Sequence, residues 1–550
     1  MPRADAPAND GLLPAWLSPG AAVIASLGVL ACLALALAPT TASEGRVMWT
    51  FARPHYLMYE SRVEAWNQTQ TPRIDLKLIS LPAMERRMMS AFLGGVPSAD
   101  LIEIERRAVS RSFAGPIESV GFYDLTDRLK QEGLLDAINA PSFSPWTSRG
   151  RVFGLPHDVH PVMLGYRADL VEAAGIDVSK IETWDDFARA FSKLQVDANN
   201  DGEPDRFALN MWETHNDHLE LLLAQAGGGF FDESNRLTVD SDINAHVLAT
   251  IVTWIAGPNR IAADAPNFSA AGNRLKADGF VVASFFPDWM GDIWKHEIPS
   301  LSGKMKLMPL PAWQKGGRRT SVWGGTMLGI PKTAAKTPEQ FEELWKFAKE
   351  LYLSQEFTEI LYRQGGIVTP VKKHWSSPLF DEPNAYFSSQ PTGRLYINLA
   401  PDVPHRNSSP YNTLAMNRVA DALVRLAEDA RRDKVYDYAA LKDRARALLK
   451  KAHAQVADQI ARNVFIAEPD AAVTATPLQP GAFAPPRPAE RGGLVERSET
   501  GEGSWSPGTQ DDQVAAVPSP ASPAAKRSSP RQRGDESRDP QSDMKVGGGA

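Results

Sequence analysis

The 550-residue chain carries 59 Lys and Arg against 66 Asp and Glu, a formal net charge of −7. That balance argues against broad electrostatic binding to nucleic acid, which needs clustered basic residues. Apolar residues at 43% suffice to bury a core, and a single cysteine excludes internal disulfides and any multi-cysteine zinc or iron–sulfur site.

Residues 1–43 read as a signal peptide or a membrane anchor. From Ala21 to Ala38 the chain has no charge, and its length lies at the lower limit of the roughly 20 apolar residues that cross a bilayer. Ala36 to Ala38 and Thr40 to Ala42 are small-residue cleavage candidates, whereas Arg3, opposed by Asp5 and Asp10, makes a poor basic leader. Val29 to Cys32 loosely resembles a lipoprotein signal, although the apolar run continues past Cys32. Each of these readings puts the body of the protein outside the cytoplasmic membrane, with membrane contact through the N-terminal segment.

The body, 44–466, alternates strand and helix signals. Arg46–Phe51 is a short strand candidate, Tyr59–Gln68 has helical spacing, and Ile74–Ile79 alternates with period two. Met84, Met88, Ala91 and Phe92 share one face of a helix over 81–93, and Ala99–Ile104 reads as another strand. Strand–helix–strand units of this length imply parallel pairing with right-handed crossovers. Further on, Thr183 and Asp186 have the spacing of a capping box, ahead of the apolar face Phe187, Ala190, Phe191 and Leu194. Thr337 as cap, Pro338 in the first turn and Gln340 three residues on open a second helix. Tyr436 to about Val464 reads as one or two more helices. Beyond 466 the chain is rich in Pro, Ser, Ala and Gly without apolar period, and 467–550 is expected to be a disordered tail.

Several phrases, taken in order, resemble the extracellular solute-binding proteins of ABC importers, in the carbohydrate-binding group that includes maltose-binding protein. They are the strand Val47–Phe51 and its loop, then PSADLIE at 97–103. GLPHDVHPVMLGYRADL at 154–170 and AAGIDVSKIETWDDF at 173–187 follow. GFVVASFFPDW at 279–289 and the stretch 307–330 before the Pro338 helix complete the series. The resemblance implies an α/β fold of two lobes with a central ligand cleft and hinge. The first lobe would take 44–157 and 323–369, and the second, helix-rich lobe 158–322 and 370–466. The implied function is capture of a carbohydrate-like solute and its delivery to a membrane permease, without catalysis and without a required cofactor. Three alternatives remain open: an exported glycoside hydrolase or lyase, whose carboxylate pair needs no local motif, a metal-capturing relative, and a tethered sensor.

Sugars stack their C–H faces on aromatic rings and bond charged groups through their hydroxyls. Candidates are therefore aromatics and carboxylates at strand ends and in loops. Arg53 and His55 follow the first strand, where the resemblance places polar ligand contacts. Glu103, Glu105 and Arg106 end or follow the third strand segment; Asp158 and His160 lie in the implied crossing, and Tyr166 ends the next strand. Trp212 and Glu213 follow Phe207–Met211, Asp288 and Trp289 end FVVASFF, and Trp323, Gly324 and Gly325 begin the return. Trp184, Trp254 and Trp345 fall in helical patterns and read as core.

Asp197, Asn199, Asp201 and Asp205, with Gly202 in the sixth place, have the spacing of a calcium loop, and similar loops in the family sometimes hold Ca2+. Position twelve is Ala208 rather than Glu, so a full EF-hand is not present, and the alternative is an ordinary Asx/Gly turn. His157 with His160, and His215 with His218, could ligate zinc or iron if each pair lay on a helical turn, which Pro156 and Pro161 disfavour for the first.

Overall fold

The computed structural model describes residues 19–37, 45–197 and 199–464. The expected tail and the Thr40 cleavage candidate lie outside them. The described residues fall in one unit, Met1–Ala472.

Period-two alternation yields the first strands close to expectation: β1 (Arg46–Thr50), β2 (Ile74–Leu78) and β3 (Leu101–Glu105). A two-stranded ribbon, β4 (Thr147–Ser148) with β5 (Arg151–Val152), precedes the short β6 (Leu155–Pro156). The second lobe is built on β7 (Val162–Arg167), β8 (Phe207–Asn210), β9 (Ala262–Ala263), β10 (Val281–Pro287) and β11 (Met305–Pro309). Then β12 (Thr326–Gly329) returns to the first sheet.

The sheet orders are β2-β1-β3-β12-β6 and β11-β7-β10-β8-β9. Parallel pairing, expected from the strand–helix–strand units, holds for β1 with β2 and β3 and for β8 with β9 and β10. It fails elsewhere. β12 enters beside β3 from the other lobe and therefore runs antiparallel to it, as β7 does to β10 and β11. Each lobe has its own core. Met48, Leu101, Trp345 and Tyr352 are among the residues at the centre of the first, and Leu164, Phe187, Leu209, Phe285 and Leu423 of the second.

Helices form where caps and apolar stripes coincide. Arg53–Thr69 starts earlier than its apolar spacing suggests, because Pro54 is tolerated in a first turn. Thr183 and Asp186 form the full reciprocal capping box of Trp184–Phe191, and Thr337 accepts from the Gln340 N–H to start Pro338–Leu353. Asn412–Asp433 and Tyr438–Ala461 pack on each other and on Asp242–Ile255 through Leu423, Leu426, Leu441, Leu449 and Val252. The N-terminal apolar run is a helix over Pro19–Leu37, with Ile24, Leu27 and Leu30 more than half exposed. Its 19 residues span about 28 Å, short of a hydrocarbon core of about 30 Å. Among the described residues no helix is long and apolar enough to cross a membrane.

The insertion of β12 depends on a close approach. A Cβ at Gly329 would meet the Phe122 ring at 2.6 Å, and that ring is fully buried. Gly329→Ala should therefore destabilise by about 1–3 kcal/mol, read as a lower urea midpoint at unchanged slope.

Candidate functional site

Three segments pass between the lobes, and they lie side by side. The first is 157–161, leading from β6 to β7. The second, 321–326, leads back into β12. The third, 367–370, follows the helix Gln355–Gly365. Backbone bonds join them: Val159 N–H to the Val368 carbonyl (3.2 Å), His157 N–H to Thr326 (3.1 Å), and Val162 N–H to Ser321 (3.1 Å).

Side chains expected at strand ends converge on this seam. Asp158 (4% exposed), His160 (4%) and Asp288 (2%) form a buried triad. His160 Nε2 lies 3.0 Å from Asp158 Oδ2, and its Nδ1 lies 2.8 Å from Asp288 Oδ1. The same Asp158 oxygen accepts from the Thr326 N–H and hydroxyl, at 3.3 and 3.1 Å. Asp288 accepts from the backbone N–H groups of Val368 (2.8 Å) and Trp289 (2.9 Å). Burial alone would lower the His160 pKa, but Asp158 and Asp288 outweigh it and hold it up at about 10. The two histidines of 157 and 160 flank the Asp158 carboxylate instead of sharing a helical turn.

Trp289 follows directly. Its indole N–H donates to the Trp323 carbonyl at 2.9 Å, and its ring packs against the cores of both lobes. Phe268, 57% exposed, stacks on it with ring centres 6.1 Å apart and planes 17° apart. Gly324 (φ 107°) and Gly325 (φ 122°) adopt backbone that favours glycine, and a Cβ at Gly324 would meet His160 at 2.7 Å. Arg406 donates to the Gly324 carbonyl. Burial and the neighbouring Arg106 lower its pKa to about 9.

At the mouth, charges face each other across the lobes. Arg106 and Arg107, just after β3, reach Glu220 Oε2 at 2.5 and 2.9 Å, and Arg107 also binds Asp217. Asp217 and Glu220 lie on the helix Asn216–Ala226. Glu105 caps its own short helix by accepting from the Arg107 N–H (2.7 Å). The two arginines outweigh burial and hold the Glu220 carboxyl down at about 2. A cavity of about 860 Å³ opens between the lobes, lined by Phe143, Ser144 and Arg149 on one side and Phe231, Asp232 and Arg406 on the other.

Several expected ligand residues are placed elsewhere or are already engaged. Tyr166 is in the core, because it sits four residues along β7 from Val162, the partner of Pro287 at the cleft end of β10. That is about 13 Å of strand. Burial raises its pKa to about 12. Glu103 is fully buried and accepts from Thr50, His55 and Tyr59, because its side chain points into the first lobe from β3. Glu213 takes a two-pronged bond from Arg431 (2.6 and 2.9 Å), whose guanidinium covers the Trp212 ring at 4.9 Å, so that ring face is occupied. Arg53 is exposed in the first turn of its helix. Around 197–205 the loop closes on itself: Asp197 accepts from the N–H groups of Asp201 and Gly202, and Asn199 donates to Asp205. His215 and His218 meet at 3.2 Å, with His215 also bonded to Asp264.

The model of one family, described as bacterial extracellular solute-binding protein, matches residues 63–356, more than half of the chain. The chain belongs to that family. Membership makes this solute-binding protein extracytoplasmic. An arabinooligosaccharide-binding protein of Halalkalibacterium halodurans is 27% identical over 384 residues, 68% of this chain and 82% of its own length. Its namesake in Bacillus subtilis is 26% identical over 62% of this chain and 76% of its own length. The maltose-bound MalE3 of T. maritima superposes with a TM-score of 0.56 over 76% of this chain and 99% of its own, at 19% identity, and so shares the fold.

Sequence reading of this solute-binding protein missed Phe268, Arg107, Asp217, Glu220 and Arg406. Phe268 sits in a loop without pattern, and the charges look like ordinary solvated side chains until the lobes bring them together. The triad predicts a pH dependence. Its folded-state histidine pKa is raised, so its stabilisation is complete below about 6.5 and is lost as pH rises through about 10. Thermal melts from pH 6 to 10.5 should show an alkaline decline that His160→Asn flattens at a lower starting stability. An equally steep decline in the variant would remove the triad as its source.

Proposed function

We propose that this protein captures an oligosaccharide between its lobes and hands it unaltered to an ABC permease. The observation that carries the reading is the exposed Phe268 ring stacked on Trp289 at the interlobe seam. It offers a hydrocarbon face on which a sugar ring can stack. The two relatives named for arabinooligosaccharides favour a pentose oligomer over a hexose monomer. The interlobe gap of about 860 Å³, lined by Phe231 and Arg406 and not by Phe268 or Trp289, is roomy for a single sugar ring and suits a short oligomer.

The mechanism is a population shift. Arg106, Arg107, Asp217 and Glu220 bond across the lobes only when the mouth is shut, and a solute that touches both lobes adds differential binding to that state. The apolar helix Pro19–Leu37 serves either as the export signal or as the tether that holds the body at the membrane surface.

Titration calorimetry against arabino-oligosaccharides, arabinose and malto-oligosaccharides tests this. The pentose oligomers should bind most tightly and be recovered intact. Heat release with none of them, or cleavage of a bound one, would sink the reading. Phe268→Ala should weaken binding three- to tenfold, about 1 kcal/mol, with little change in melting temperature because the ring is exposed. Trp289→Ala is a poorer probe, since it also removes packing on both lobes.

Glu220→Gln should lower apparent affinity about tenfold by depopulating the closed state. Because the Glu220 pKa is depressed, the clasp stabilises closure above about pH 4.3 and is lost as pH falls through about 2. The wild-type affinity should therefore stay flat between pH 5 and 8, as a titration series would read.

A further inference from the structure

Behind the seam lies a second cluster that solute capture does not use. His55, Glu103 and His157 each bring one donor atom within 4.8 Å of the others. They come from three elements: the first turn of Arg53–Thr69, β3, and the first crossing segment. Glu103 and His157 are 0% and 1% exposed, while the His55 side chain keeps 13% exposure. The two imidazoles lie face to face, with centres 4.6 Å apart and planes 29° apart.

The surroundings fix which atoms are free. Asp158 takes His157 Nδ1 at 3.0 Å, so Nδ1 carries the proton and Nε2 presents a bare lone pair. Burial pushes the His157 pKa down, against the pull of Asp158, which keeps the ring neutral. That Nε2 is buried and has no hydrogen-bond partner. Glu103 is held in place by the Thr50 and Tyr59 hydroxyls, with Tyr59 at 2.8 Å. His55 Nδ1 lies 2.5 Å from Glu103 Oε1, with a proton between them.

We propose that His55, Glu103 and His157 form a binding site for a zinc-type divalent cation. Two imidazoles and one carboxylate suit a borderline ion and disfavour calcium or magnesium, which select all-oxygen sets. The cation replaces the proton between His55 and Glu103, which leaves to solvent, and it takes the lone pair of His157 Nε2. Bonds of about 2.0–2.1 Å put donors roughly 3.3 Å apart, so His55 Nδ1 and Glu103 Oε1, 2.5 Å apart, spread, the His157 nitrogen closes by about 1.5 Å or less, and the stacked imidazoles turn to aim both lone pairs at the ion. The contact from Asp158 to His157 is the carboxylate support that ligating histidines commonly have. Water completes the coordination at the exposed edge of His55. Occupancy ties β3 and the Arg53–Thr69 helix to the crossing segment, and so stiffens the first-lobe end of the hinge.

The test uses the full chain, stripped with chelator and dialysed against zinc chloride, with metal counted by elemental analysis and affinity by calorimetry. We expect one zinc per chain, a rise in melting temperature with excess zinc, and a drop of about 10–100-fold in affinity for His55→Gln and for His157→Gln. His215→Gln, in the other histidine pair, should bind as wild type. Cobalt substitution should give the intense visible bands of a four- or five-coordinate ion. If His157→Gln does not fold, the partly exposed His55→Gln and the cobalt spectrum decide. A wild-type chain that takes up no zinc, or uptake lost in His215→Gln but kept in His55→Gln, overturns the site. Sugar titrations in chelator read the proposed solute capture separately, so either can fail alone.

Discussion

A single imidazole between two carboxylates ties together the three segments that cross between the lobes. His160 bridges Asp158 and Asp288 where almost no water reaches. Buried charges persist only when paired and fully bonded, and one cation does not neutralise two anions. The remaining demand is met by N–H and O–H donors: Thr326 on Asp158, and Val368 and Trp289 on Asp288. Those donors come from the second and third crossings and from the end of β10. The charge balance of the triad is complete only when all three crossings lie together, which turns three separate links into one seam. His160 itself sits at φ 54°, a conformation costly for a non-glycine residue and kept where its surroundings over-determine it.

The lobes are joined differently at the mouth. Arg106 and Glu220 retain 11% and 17% side-chain exposure, and Arg107 and Asp217 retain 31% and 37%. Ion pairs near water are worth far less than buried ones, because solvent competes for each partner. The gradient has a mechanical meaning. Bonds that are costly to break lie at the seam and resist sliding, whereas the Arg107–Asp217 bond at the mouth is more open to water. Gly324 and Gly325 lie in the second crossing, where side chains crowd the backbone and its conformation favours glycine.

How far the sequence foretells this depends on the range of each interaction. Local signals survive well: period two marks β1 to β3, and Thr183 with Asp186 and Thr337 with Gln340 mark helix starts, because each is settled within a few residues. Asp158, His160, Asp288 and Trp289 are legible as polar or aromatic groups at strand ends. That they bind one another is not, since 128 residues separate His160 from Asp288. The same blindness misplaces Glu103 and Tyr166. A glutamate amid β-branched residues reads as a cleft group, yet its direction depends on strand register. Tyr166 lies near the far end of a strand whose cleft end is its beginning, because β7 runs antiparallel to β10. Antiparallel insertion is a property of topology that no window of residues contains.

The proposed platform and the seam share one residue, and on that proposal binding is linked to closure. Trp289 presents a face to Phe268, packs on both cores, donates to the second crossing through its indole, and donates to Asp288 through its backbone. On that proposal, a guest seated on the aromatic pair would touch the residue through which the seam is bonded. Differential contact of this kind is what a ligand needs to shift a conformational equilibrium, since equal affinity for two states moves neither. A platform carried wholly by one lobe would bind a sugar without reporting it. The proposed platform on the seam would instead couple occupancy to lobe angle.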